Sequence, residues 1–223
     1  MSGSINQYVM PIVKKGIFKN IKSFEEFEKR LLNAGNISGR GIQTTKGDIF
    51  EIFVEALLSV NKRYKKDKVY PSSKIPLNIK NELNLNLSKK EMGQDGCYID
   101  NGDLCLYQAK YRTPEQTLVW TKLSTFAGVS ERAKIRHLFT TTNKIEDEFK
   151  NKDRVLITSR KDLLNLSKEE FKEIETWLSQ PKPKRQRHKK DQYQKDAIKS
   201  IIKELKSHDR ATTIMACGTG KTD

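Results

Sequence analysis

The chain has 223 residues, of which 35% are hydrophobic and 32% charged, and its net charge is +15. This length suits one domain and part of a second, and the positive balance favours nucleic acid as the partner, although a lysine-rich proteome would give the same charge. Three cysteines without a CxxC pair disfavour a disulfide scaffold or a zinc site. No segment has the apolar run of a signal peptide or a membrane span, so we expect a cytoplasmic protein with no membrane partner.

Two amphipathic helices are predicted in the first third of the chain. The first covers residues 23–34, with Ser23 and Glu26 as a capping box and an apolar stripe of Phe24, Phe27, Leu31 and Leu32. The second starts near Thr45, and its apolar spacing predicts a deeply buried face of Phe50, Phe53, Val54, Leu57 and Leu58. After it, the sequence predicts a short strand in KVYPSS and then a loop with a weak helix.

The Asn-Gly pair at 101–102 separates two alternating apolar runs and predicts a β-hairpin with a two-residue turn. Counting back from this turn places Asp95 opposite Gln108, with Lys110 on the same face of the next strand. A carboxylate, an amide and an ammonium therefore converge. Such oxygen ligands suit Mg²⁺, and an ammonium can steady an attacking water, which indicates a phosphodiester-cleaving site. The alternative is a hairpin whose polar end is simply solvated.

The remaining elements are predicted from caps and apolar runs. Thr113-Pro114 is typical of a helix start, and we expect a helix from there to about residue 133. Strands are predicted at 135–142 and 154–159, followed by a helix capped by Ser167 and Glu170. This order predicts an α/β fold with a mixed sheet flanked by helices. A basic linker follows, which we expect to touch the DNA backbone through Lys182, Lys184, Arg185 and Arg187.

The region around the hairpin resembles the Mrr-like restriction endonucleases of the PD-(D/E)xK nuclease class. It has Asp95 before one strand and Gln108-Ala109-Lys110 in place of Glu-x-Lys on the next. Gly47-Asp48-Ile49-Phe50-Glu51 fits the Gly-x-x-Phe-Glu pattern of the preceding helix. The resemblance covers roughly residues 40–160. It departs from the usual Gly-Ile-Asp at Gly93-Gln94-Asp95, where the apolar residue is replaced.

This resemblance implies a restriction-endonuclease-like fold and Mg²⁺-dependent cleavage of double-stranded DNA. It implies that Lys110 assists the attacking water and that the metal ligands are Glu51, Asp95 and Gln108. Glu55, one turn further along the helix, is the alternative to Glu51, and Glu91 is a candidate additional acid. Asp100 and Asp103 could substitute for Asp95, but the hairpin register places them at the turn, away from Lys110.

The end of the sequence resembles motif I of superfamily 2 helicases. Ala216-Cys217-Gly218-Thr219-Gly220-Lys221-Thr222 follows an apolar run that predicts a strand, although Met215 replaces the first glycine of the strict pattern. In such loops backbone N–H groups hold phosphates, the lysine reaches the β and γ phosphates, and the threonine binds Mg²⁺. The resemblance implies ATP binding by Gln194 of a Q-motif-like segment and by Gly218, Thr219, Gly220, Lys221 and Thr222.

Together these features predict four parts, namely an N-terminal helical segment at 1–40, a nuclease-like domain at 41–179, a basic linker at 180–190 and the start of a RecA-like P-loop motor at 191–223. This layout is similar to that of type ISP restriction-modification enzymes. We therefore expect the N-terminal part of a longer restriction-type translocase, unable to hydrolyse ATP by itself, with methyltransferase or specificity modules in the same chain or as subunits. Two alternatives stay open: a non-catalytic DNA-binding module, and a repair or recombination helicase with an accessory nuclease.

Overall fold

A computed structural model describes residues 16–35, 41–85, 93–179, 192–205 and 210. The chain divides into two compact units, residues 1–182 and residues 183–223. The first unit contains the sheet and most of the described helices, and the second contributes one described helix.

The first unit is built on a five-stranded mixed sheet whose spatial order follows the chain. Its strands are β1 (Lys68–Pro71), β2 (Gly96–Asp100), β3 (Asp103–Lys110), β4 (Arg136–Thr140) and β5 (Val155–Thr158). The pairs β1–β2 and β2–β3 are antiparallel, whereas β3–β4 and β4–β5 are parallel. The start of β2 and the ends of the other four strands therefore meet at one edge of the sheet.

The hairpin between β2 and β3 has the register predicted from its turn. Cys97 pairs with Leu106 and Asp100 with Asp103. Asn101 and Gly102 both have positive φ, 51° and 87°. This is the conformation that a type I′ turn requires at both central positions, and it explains why Asn-Gly occurs there.

The described α-helices are α1 (Phe24–Leu32), α2 (Ile42–Val60), α3 (Leu77–Glu82), α4 (Ser124–Val129), α5 (Asp147–Lys150), α6 (Arg160–Leu163), α7 (Lys168–Ser179) and α8 (Gln192–Glu204). Short 3₁₀ turns cover Ser72–Lys74 and Trp120–Lys122. Strands and helices together confirm the predicted α/β fold with a mixed sheet flanked by helices. None of the described helices combines the length and apolarity needed to cross a bilayer.

Helices cover both faces of the sheet. On one face α1, α2 and α7 share a core in which the rings of Phe27 and Phe53 lie 4.7 Å apart and those of Phe53 and Phe171 lie 5.9 Å apart. On the other face α3, α4 and α5 form a second core, where Phe126 and Phe149 lie 6.2 Å apart. Both faces of the central strands are therefore apolar.

The first two helices follow their predicted patterns with small differences. The Ser23 hydroxyl accepts the Glu26 N–H at 3.3 Å, but the Glu26 carboxylate accepts the N–H of Lys22 instead of completing the capping box. Leu32 is 50% exposed, so its place in the buried stripe was wrong. Helix α2 begins at Ile42 and buries the whole predicted face, Phe50, Phe53, Val54, Leu57 and Leu58.

The helix predicted from Thr113 is wrong over its first part, because α4 begins only at Ser124. The segment after β3 stays close to the end of β4 instead, and Leu118 forms a β-bridge with Ile145. Three successive threonines at the end of β4 donate hydroxyl hydrogen bonds to this segment. They are Thr140, Thr141 and Thr142. These bonds compete with helix formation at Thr113-Pro114.

In the second unit α8 covers the Q-motif-like segment that precedes the P-loop-like motif. Ile202 on this helix and Leu205 directly after it are 54% and 52% exposed. The side chains of Gln194, Ala197 and Ile198 lie outside the described residues, and so do the basic linker, the strand predicted before the loop, and the ATP-binding loop itself.

Candidate active site

The predicted site lies at the edge of the sheet where β2 begins and β3 ends. Gly96 pairs with Tyr107, which is the last pair of the register, and Asp95 and Gln108 are the next residue on each chain. The N–H of Asp95 donates to the carbonyl of Tyr107 at 3.0 Å, and its Oδ2 accepts the N–H of Ala109 at 2.7 Å. The carboxylate is therefore tied to the strand that carries Gln108.

Gln108 is buried in the sheet and leaves one polar atom unpaired. Its side chain is 2% exposed, and its Nε2 donates to the carbonyl of Gly93. Its Oε1 is buried without a hydrogen-bond partner. A buried acceptor left in this state costs about 1–3 kcal/mol. A polar end that was merely solvated would expose this amide, so that alternative does not fit.

Lys110 occupies the last position of β3, two residues after Gln108. Strand alternation places it on the same face as Gln108, and it is partly exposed. Its carbonyl accepts the Thr140 hydroxyl at 2.9 Å, which fixes the backbone at this point. The Lys110 side chain therefore leaves a fixed backbone on the same face of β3 as Gln108.

The two candidate acids of α2 approach from the other side of the sheet. Helix α2 covers the face that carries Tyr107, and on it Glu51 is exposed while Glu55 is buried. Burial raises the pKa of Tyr107 well above its usual range, and the carboxylates of Glu55, Asp95 and Glu51 raise it further. The structure thus brings both helix acids and Asp95 into electrostatic range of one buried phenol.

Sequence reasoning missed the contact between two residues beside Asp95, namely Gly96 and Tyr107. A Cβ placed on Gly96 would lie 2.5 Å from the Cζ atom of Tyr107, so the ring needs a glycine at this position. A glycine inside a strand pattern was the available signal for such a close approach. Gln94, which stands in place of an apolar residue, is 7% exposed, and its Oε1 also has no hydrogen-bond partner.

The donor chemistry fits a hard cation. Among the described residues no group of three His, Cys, Asp or Glu side chains is arranged to hold a metal ion. The predicted set supplies two carboxylates, from Glu51 and Asp95, so its third oxygen must come from the Gln108 amide. The Oε1 of Gln108 is buried without a hydrogen-bond partner and is an oxygen donor of the kind that Mg²⁺ binds.

The remaining acids of the hairpin have other partners. Asp100 forms an ion pair with Lys66 at 2.6 Å, and Asp103 lies 4.0 Å from Lys134. Both lie beside the turn, at the opposite end of β3 from Lys110, as the register predicted. Glu91 lies outside the described residues.

Comparisons with known proteins give two structural neighbours. No protein-family profile and no curated protein matches the chain. An ATP-dependent type ISP restriction-modification enzyme, LlaBIII, solved bound to DNA, is 20% identical over 90% of this chain and 12% of its own, with a TM-score of 0.43. The DNA modification-dependent restriction endonuclease AspBHI is 16% identical over 57% of this chain and 38% of its own, with a TM-score of 0.32. Likenesses this low carry no argument about function, which has to come from the site.

Proposed function

We propose that the chain carries the Mg²⁺-dependent DNA endonuclease site of a restriction-type translocase. The observation that carries this proposal is the buried Gln108 amide, whose Oε1 has no partner, next in sequence to Ala109, whose N–H holds the Asp95 carboxylate. Buried acceptors in folded proteins are usually hydrogen-bonded, so an unpaired one on this strand supports a ligand role. The net charge of +15 supports a nucleic acid substrate.

Each side chain has a separate role in this site. Asp95 and Gln108, with Glu51, would hold Mg²⁺, which when bound activates water and neutralises charge at the phosphate. The N–H of Ala109 keeps the Asp95 carboxylate oriented toward the strand. Lys110 positions the attacking water and stabilises negative charge on the phosphoryl oxygens.

The wider assignment rests on sequence features outside the described residues. ATP binding by Gln194 and by residues 218–222, DNA contacts by the basic linker, and partner methyltransferase or specificity modules belong to the proposed full-length, cytoplasmic translocase. The P-loop-like motif supports this part of the proposal, since its glycines and Lys-Thr pair suit nucleotide phosphates.

Replacing the lysine tests the nuclease. Lys110→Ala should slow Mg²⁺-dependent nicking of supercoiled DNA by about 10²-fold or more, because it removes the charge that stabilises the transition state. DNA affinity in EDTA should change little. Lys134→Ala is the matched control, because Lys134 is exposed at the opposite edge of the sheet. Equal nicking by Lys110→Ala and by the parent chain would contradict the assignment.

A non-catalytic DNA-binding module is the second candidate. The site has two acids where a typical metal centre would gather three, and this favours it. Such a module would bind DNA equally with and without Mg²⁺ and would not cut under any divalent cation. A titration of Mg²⁺ against nicking and binding, run on the same preparation, separates the two functions.

A further inference from the structure

The segment that follows β3 is fixed to the end of β4 by side chains. The carbonyls of Lys110, Arg112 and Pro114 accept hydroxyl hydrogen bonds at 2.9, 2.5 and 3.0 Å from Thr140, Thr141 and Thr142 respectively. The Thr141 hydroxyl also accepts the N–H of Arg112 at 2.7 Å. Alternate carbonyls thus point the same way, and the chain stays extended over residues 111–113, before a turn at residues 114–115.

This extended path sets the direction of the Arg112 side chain. Tyr111 packs against the core under α2, on the same face as Tyr107 and Ala109. Arg112 therefore leaves the other face, with Gln108 and Lys110, about 7 Å beyond Lys110 along the chain. Both cations stand at the edge where β2 begins and β3 ends, and threonine hydroxyls hold both backbones.

The guanidinium of Arg112 lacks an acidic partner in the part of the chain that the structure describes. Its one hydrogen bond goes to the carbonyl of Tyr111 at 2.7 Å. By contrast, Arg30 and Arg160 pair with Glu26 and Glu28 at 2.9 and 2.7 Å. Partial burial lowers the pKa of Arg112, and no neighbouring acid offsets that cost. A half-buried cation in this state is poised for an anion.

We infer that Arg112 is a phosphate-binding residue, which holds the DNA phosphate next to the one that Lys110 faces. The inference rests on the proposed nuclease function for the identity of the anion. A planar guanidinium with four N–H donors left over suits two phosphate oxygens at once, which a lysine cannot match. The rigid backbone of Arg112 would position the DNA strand for cleavage at the neighbouring phosphate.

Salt-dependent DNA binding tests this role. The whole chain would be titrated with a short fluorescent DNA duplex in EDTA, so that no cleavage occurs, at several salt concentrations. Arg112→Gln should weaken binding, and the slope of log affinity against log salt should fall by about 0.9, the value for one lost phosphate contact. Arg132→Gln is the matched control, because Arg132 is exposed and precedes β4 at the opposite edge. It should leave the slope unchanged.

Three results decide the inference. An unchanged slope in Arg112→Gln, or an equal drop in Arg132→Gln, would overturn it. If melting shows that Arg112→Gln does not fold, Arg112→Lys gives the answer, because it keeps the charge and loses the planar fork. It should keep the slope and bind several-fold more weakly, and binding equal to the parent would overturn the inference. Nicking by the parent chain in Mg²⁺ is scored separately, so a missing nuclease activity would refute the proposed function without touching the binding result.

Discussion

Two buried polar groups in the same sheet differ in their hydrogen bonding: one is fully satisfied and the other is not. The Tyr98 hydroxyl meets Nδ1 of His137 at 3.1 Å, and Nε2 of His137 meets the hydroxyl of Thr158 at 2.9 Å. Every ring nitrogen of that network has a partner. Gln108 lies two residues before the end of β3, and its Oε1 has no hydrogen-bond partner. A satisfied network stabilises the fold, whereas an open acceptor costs stability and points to a use outside folding.

The state of His137 follows from its surroundings. Burial lowers its pKa to about 3, and the charge of Lys66 contributes in the same direction. The ring is therefore neutral, with one nitrogen donating and the other accepting. Its face stacks on Phe139 with 3.9 Å between ring centroids. This part of the sheet has the properties of a structural core.

The largest expected effects come from replacing one residue in each group, Gln108 in one variant and Tyr98 in another. Gln108→Met should lower Mg²⁺-dependent nicking by about 10²-fold or more and change the free energy of unfolding by less than about 1 kcal/mol, because removing the unpaired Oε1 offsets the lost bond from Nε2 to the Gly93 carbonyl. Tyr98→Phe should keep nicking and lower stability by about 1–3 kcal/mol, because it leaves a buried nitrogen of His137 without a partner. Nicking assays and urea unfolding measure both. If Tyr98→Phe lost nicking and Gln108→Met kept it, the two assignments would be reversed.

A smaller effect is expected at the glycine beside Asp95. Gly96→Ala should lower the free energy of unfolding by about 1–3 kcal/mol, because its Cβ would overlap the Tyr107 ring. Gly128→Ala is the matched control in α4, where a Cβ meets nothing within 4 Å and a gain of up to about 1 kcal/mol is expected. Thermal melting of both variants would show whether the overlap matters, and equal melting temperatures would contradict it.

The smallest expected effect is a pH dependence of the folding stability, which arises from His137 in the hydrogen-bonded network with Tyr98 and Thr158. Above pH 6.5, the usual pKa, His137 is neutral in both the folded and the unfolded chain and contributes no slope. As the pH falls from 6.5 toward 3, the unfolded chain takes up a proton that the folded chain refuses, so stability decreases by up to about 1.4 kcal/mol per pH unit. Urea midpoints at pH 7 and pH 5 measure this loss. A His137→Leu variant should show a smaller difference between the two pH values, and an undiminished difference would assign the slope to other groups.

Local signals predicted the parts of the fold that depend on neighbours in sequence. The Asn101-Gly102 turn predicted the register of β2 and β3 from Asp100–Asp103 to Gly96–Tyr107, and the apolar spacing of α2 identified a face that is fully buried. The strands at β4 and β5 stood out as apolar runs. In these regions the local preference and the tertiary structure agree.

Long-range contacts explain what the sequence could not predict. Thr113-Pro114 has the local pattern of a helix start, but the hydroxyls of residues 140–142 hold that segment extended. The pairing of Tyr98 with His137 joins residues 39 positions apart, and no spacing rule anticipates it. Likewise, the burial of Gln108 depends on Gly93 and on the strands around it. Its unpaired oxygen is visible only in three dimensions.

The position of the hairpin turn also determines how the site can fail. Asn101 and Gly102 lie at the far end of β3, nine and eight residues from Lys110, so substitutions there touch none of the side chains at the site. Such substitutions can affect the site only by changing how β2 pairs with β3. A slip of one residue would turn Gln108 and Lys110 to the face under α2 together, whereas any turn that keeps the register would leave both in place. Variation at the turn should thus be either silent or complete in its effect, with few intermediate activities.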